Sequence, residues 1–84
     1  MRILIVEDDT LLGEGLVTAL KRQGDTVDWL QDGAAAIIAL KSESFDLVLL
    51  DLGLPRADGY AVLSAVRGGG NRVPVLILTA RDQV

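Results

Sequence analysis

The sequence predicts an α/β fold, a parallel β-sheet covered by helices on both faces. Three observations carry this. Along the 84 residues, short apolar runs alternate with helix-length stretches, the pattern of a parallel sheet built from β–α units. The apolar runs are aliphatic and, with one exception, uninterrupted, as strands buried on both faces must be. Acidic residues (Glu7, Asp8, Asp9 and Asp51) close the first and third runs, and in open α/β sheets ligands bind at the carboxyl ends of strands.

The elements follow in order. Residues 2–7 (RILIVE) read as the first strand. Residues 9–23 read as a helix with Leu12, Leu16, Ala19 and Leu20 on one stripe. Asp9 sits at a capping position, Lys21 and Arg22 suit the negative end of the helix dipole, and Gly24 stands where a left-handed cap belongs. Gly13 and Gly15 each cost that helix about 1 kcal/mol against Ala, so tertiary packing must hold it. Residues 26–30 (TVDWL) form the second strand, with Asp28 in its middle. Asp32 is placed to cap an alanine-rich helix ending near Lys41. Residues 45–51 (FDLVLLD) are the third strand, and a loop over 52–58 follows. Pro55 restricts that loop and Asp58-Gly59 gives a tight entry to a helix over 59–67. Gly68, Gly69 and Gly70 stop the helix, and residues 73–79 (VPVLILT) are the fourth strand.

The charge in the second strand fits an edge, and right-handed crossovers then favour the order 2-1-3-4. That is a flavodoxin-like arrangement, with its switch point between the first and third strands. The whole of 1–84 is expected to form a single, incomplete domain. Half of the residues are hydrophobic and only three are aromatic, so the core is aliphatic. The chain has no cysteine, which excludes disulfides and thiolate metal sites and is compatible with a reducing cytosol. A cytoplasmic location is the expectation. No apolar run reaches the roughly 18 residues of a membrane span. A net charge of −4 argues against direct nucleic-acid binding, and the lack of histidine excludes a phosphohistidine donor or any His-based catalyst.

Strands in a sheet lie about 4.8 Å apart, so carboxylates ending two adjacent strands can share a cation. Without a cation or a proton between them they repel. Hard oxygen ligands with no His or Cys favour Mg2+ or Mn2+ over zinc or copper. Mg2+ typically takes one or two carboxylates and leaves its other positions to water and phosphate oxygens. The acidic strand ends are therefore a phosphoryl-handling site in outline. Thr79, ending the fourth strand beside the third, offers a hydroxyl to a phosphoryl oxygen held on Asp51.

At ILIVEDD, LLDLGLPRADGY and VPVLILTARD, collinear and correctly spaced, the chain resembles the receiver domain of two-component response regulators. The resemblance is greatest to the OmpR/PhoB-type transcription factors. It implies that Asp51 is the phosphoacceptor, modified from a sensor histidine kinase with Mg2+ as cofactor. Asp8 and Asp51 would be direct metal ligands, the Gly53 backbone carbonyl another, and Glu7 would act through water. Thr79 would be the switch hydroxyl, and Ala80 the small residue that leaves room for the phosphoryl group. Gly53 replaces a larger residue common in the family, which loosens side-chain gating without removing the carbonyl. Such a module signals and is not itself an enzyme.

The family pattern extends beyond Val84 by a helix, a strand and a last helix, the stretch that carries its catalytic lysine and aromatic switch residue. None of the eight Lys and Arg residues substitutes for that lysine; Arg81 is the nearest in sequence. The DNA-binding domain expected in this subfamily would also lie outside the chain. The fourth strand, apolar on both faces, is then an exposed edge that invites self-association or exchange of elements. Two other readings stand beside the receiver. One is an interaction or oligomerisation module that is never phosphorylated. The other is a Mg2+-dependent phosphohydrolase, which would usually carry a second acid where Gly53 stands.

Overall fold

A computed structural model describes residues 1–79. Seven elements alternate: β1 (Arg2–Val6), α1 (Thr10–Arg22), β2 (Thr26–Leu30), α2 (Gly33–Ser42), β3 (Leu47–Asp51), α3 (Gly59–Gly68) and β4 (Val75–Thr79). All strand pairs are parallel, in the order β2-β1-β3-β4. The predicted flavodoxin-like order is the observed one. β3 and β4 begin two residues later than the apolar runs suggested.

Side-chain alternation along β1 divides the interior into two layers. Leu4 and Val6 face one way, with Val48 and Leu50 of β3, against Ala36 and Leu40 of α2 and Val62 and Val66 of α3. Ile3 and Ile5 face the other way, with Leu49, against Leu16, Val17 and Leu20 of α1. One helix thus covers one face and two cover the other. Each fully buried aliphatic side chain contributes about 1.5–3 kcal/mol, so β1 and β3, buried almost end to end, anchor the acidic residues that follow them.

The predicted inner stripe of α1 is half right. Leu16 and Leu20 pack inward, whereas Leu12 and Ala19 are exposed. Gly13 and Val17 replace them, because the helix lies on Trp29 of β2. A Cβ on Gly13 would stand 2.2 Å from Trp29 Cζ2, so the glycine that weakens the helix is what allows it to approach the sheet. Asp9 caps α1, its carboxylate accepting from the Leu12 amide at 3.1 Å, and Gly24 takes the left-handed conformation at φ 89°.

β2 is an edge strand, and its Asp28 is paired to Arg2 Nη2 at 2.6 Å. Arg2 also reaches Glu43 and the Ser44 carbonyl and lies 4.4 Å from the centroid of the Phe45 ring. One arginine thereby ties β1, β2 and the segment leading into β3 together at the end of the sheet opposite the acidic residues. No helix among the described residues is long and apolar enough to cross a membrane.

Candidate functional site

Val6 of β1 is in register with Leu50 of β3, so Glu7 and Asp51 occupy equivalent steps on neighbouring strands. Glu7, Asp8 and Asp51 each offer a carboxylate oxygen, and those oxygens lie within 4.8 Å of one another. Glu7 and Asp51 are completely buried. An isolated carboxylate is expensive to bury, so two of them side by side demand compensating positive charge, protons or donors. The protein supplies some donors: the Asp9 amide to Glu7 Oε2 at 3.0 Å, and the Gly53 amide to Asp51 Oδ1 at 3.2 Å. All-oxygen donors at this spacing fit a hard divalent cation. Glu7, Asp8 and Asp51 are the residues that could hold it. Asp9, spent on capping α1, is not one of them.

Thr79 lies opposite Asp51 in the β3–β4 register, after a bulge between Leu50 and Asp51. The strand-end threonine predicted from sequence is thus beside the acidic strand end in backbone position. Ala80 and Arg81 lie outside the described residues. Gly53 stands two residues beyond Asp51 and contributes its amide to the Asp51 carboxylate.

Sequence reasoning did not bring out two features of the surroundings. Trp29 Nε1 donates to the Glu7 carbonyl at 2.9 Å, linking edge strand β2 to the backbone of the acidic turn. Secondly, the loop over 52–58 carries two consecutive non-glycine residues at positive φ, Arg56 (47°) and Ala57 (81°). Such conformations cost of order 1–3 kcal/mol each and persist where their surroundings over-determine them. Here the surroundings are the start of α2. The Gly33 amide donates to the Pro55 carbonyl at 3.3 Å, the Ala34 amide to the Arg56 carbonyl at 2.9 Å, and Arg56 Nη2 to Asp32 Oδ2 at 2.6 Å. Asp32 Oδ1 accepts from the Ala35 amide at 2.8 Å, capping α2. These two contacts, the Ala35 amide first and the Arg56 guanidinium second, hold the Asp32 carboxyl below its ordinary value. A glycine following a capping Asp at a helix start was the sequence signal for this close approach.

The fold and the acidic cluster define an α/β module of flavodoxin-like topology, with three carboxylates at its switch point able to hold a cation. Residues 3–84 match the family model described as the response regulator receiver domain, and the chain belongs to that family. It is 54% identical over 84 residues to the response regulator protein PmrA of Pseudomonas aeruginosa, covering all of this chain and 38% of the relative. It is 52% identical over 82 residues to the transcriptional regulatory protein QseB of Haemophilus influenzae (98% and 37%), and 48% identical over 82 residues to the transcriptional regulatory protein BasR of Escherichia coli (98% and 37%). The chain therefore spans little more than a third of the curated relatives it matches.

Solved structures agree. A Francisella response regulator receiver domain superposes with a TM-score of 0.91 at 25% identity, covering 99% of this chain and 69% of that one. The MaeR response regulator bound to beryllium trifluoride gives 0.86 at 34% identity (99% and 70%). A receiver domain of a Pseudomonas aeruginosa sensor histidine kinase, with a magnesium ion coordinated in its active-site cleft, gives 0.82 at 34% identity (95% and 67%).

Proposed function

We propose that Asp51 is the phosphoacceptor of this receiver, modified from a sensor histidine kinase and supported by Mg2+. The observation that carries the reading is the convergence of Glu7, Asp8 and Asp51 within 4.8 Å. Asp8 and Asp51 would hold the cation directly, the Gly53 carbonyl would add a backbone ligand, and Glu7 would act through water. Bound Mg2+ supplies neutralisation of phosphoryl oxygen charge. A neighbour bound to beryllium trifluoride and another holding magnesium support the same chemistry here.

The chain's own part in the reaction is orientation. An Asp51 carboxylate oxygen attacks phosphorus in line, and an O–P bond forms while the donor's bond to phosphorus breaks. The electron pair of that bond leaves with the donor. The transferred group is loosely bonded at the transition state, so alignment and electrostatics provide most of the acceleration. The Gly53 amide, donating to Asp51 Oδ1, fixes one carboxylate oxygen. Thr79, and Ala80 after it, would accommodate the phosphoryl oxygens. Transcriptional output would run through a DNA-binding domain outside this chain, and the protein would work in the cytoplasm.

Incubation of the chain with Mg2+ and acetyl phosphate tests the reading. A phosphoryl mass increment is expected in wild type and not in Asp51→Ala, with hydroxylamine reversing it. Wild type left unmodified where beryllium trifluoride also fails to bind would count against it.

A further inference from the structure

The loop over 52–58 is clamped at two ends. Near the acidic cluster, the Gly53 amide donates to Asp51 Oδ1 and the Gly59 amide to the Leu52 carbonyl at 2.9 Å. At the far end, the loop lies on the start of α2, 24 residues earlier in sequence. There Gly33 is buried, and a Cβ on it would stand 1.7 Å from the Ala57 carbonyl oxygen. The first amides of a helix have no partner within it. In this helix, those of Gly33 and Ala34 donate to the Pro55 and Arg56 carbonyls. The Arg56–Asp32 ion pair closes the same contact from outside.

We propose that Asp32, Gly33 and Arg56 are positioning residues for the cation: a latch that holds loop 52–58 so that the Gly53 backbone stays against Asp51. None of the three belongs to the acidic cluster of Glu7, Asp8 and Asp51. The proposal rests on the receiver reading of Asp51 given above. A loop with left-handed geometry at Arg56 and Ala57 would relax if released. Relaxation over residues 55–57 would reach Gly53 two residues earlier. Leu54, buried between them, also anchors the loop, and Arg56 is 73% exposed. The effect of the ion pair is therefore expected at or below the lower end of the roughly ten- to hundredfold that supporting residues around a metal exert, about three- to tenfold in affinity.

The test compares wild type, Arg56→Ala, Arg56→Lys, Asp32→Asn and the Asp32→Asn/Arg56→Ala pair. Mg2+ affinity is read from Trp29 fluorescence, amide exchange is measured without metal, and acetyl phosphate modification is measured at saturating Mg2+. Arg56→Ala is expected to weaken Mg2+ binding about three- to tenfold and speed exchange of the Gly33 and Ala34 amides. Modification at saturating Mg2+ should stay near wild type. Arg56→Lys should recover most of the loss, and the double variant should be no worse than either single one. Added salt should shrink the difference between wild type and Arg56→Ala, since the pair is exposed. Wild-type affinity and exchange in both Arg56→Ala and Asp32→Asn would overturn the latch while leaving Asp51 as acceptor. Failure of wild type itself to bind Mg2+ or beryllium trifluoride would overturn the phosphoacceptor reading of Asp51, and the latch with it.

Discussion

Trp29 donates its indole N–H to the carbonyl of Glu7 across 2.9 Å, which couples the only tryptophan of the chain to the backbone turn that carries Asp8. The same ring presses on Gly13 of α1. A cation held by Glu7, Asp8 and Asp51 would sit beside the turn to which the indole is bonded. Mg2+ is therefore expected to produce a saturable change in Trp29 emission, reversed by EDTA. Asp51→Ala and Asp8→Ala should abolish it. An unchanged response in those variants would mean that the metal sits elsewhere.

Gly13→Ala should destabilise the protein although alanine is the better helix former. The propensity gain is about 1 kcal/mol. Against it stands a Cβ at 2.2 Å from Trp29 Cζ2, and overpacking typically costs about 1–3 kcal/mol. The balance is a loss of up to about 2 kcal/mol, measurable by urea denaturation. Gly15 is the control, since a methyl group placed there would meet nothing within 4 Å: Gly15→Ala should stabilise.

Leu4→Ala tests how much of the stability rests in β1. Leu4 is fully buried in the layer beneath α2 and α3. Removing it should cost about 2–5 kcal/mol. Small domains hold only about 5–15 kcal/mol in all, so the loss takes a large share of the stability and is expected as a clearly lowered urea midpoint followed by circular dichroism.

Strand order was legible because it depends on features that sequence displays. Uninterrupted aliphatic runs marked β1 and β3 as interior, and Asp28 marked β2 as an edge. The acidic residues were legible for a related reason, since the topology brings the ends of β1 and β3 together. What escaped depends on close approach between distant segments. The stripe on α1 follows helical period, but only the seating of Trp29 on Gly13 decides which residues of the period face inward. Pro55 and Asp58-Gly59 announced a turn, yet the positive φ values fall on Arg56 and Ala57, because contact with Gly33 and Ala34 overrides local preference.

Asp32 gives a pH dependence with a definite sign. Its carboxyl is held below its ordinary value of 3.8 by the Ala35 amide and then by Arg56. A lowered folded value means that the charged form stabilises the fold at pH above the unfolded value, and that this contribution is lost as pH falls through the lower folded one. The stability difference between wild type and Asp32→Asn should therefore be constant from neutral pH down to about 5 and shrink below about 4. Asparagine still caps a helix, so the comparison isolates the charge. A difference that vanished between pH 7 and 5 would assign the effect to another group.

β4 closes one end of the described sheet, and its two faces are thinly covered: Leu76 and Ile77, neighbours pointing to opposite faces, are 58% and 42% exposed. Natural edge strands are usually guarded by charge, proline or a bulge. Here Pro74 precedes the strand and a bulge interrupts its pairing to β3, but Val75–Leu78 carry no charge. For residues 1–84 taken alone, self-association through this strand, or by exchange of elements, is expected, with a weight-average mass that rises with concentration in light scattering. Leu76→Lys should lower that mass toward the monomer, since a charge on an edge opposes pairing. A monomer mass across the whole concentration series in wild type would rule the association out.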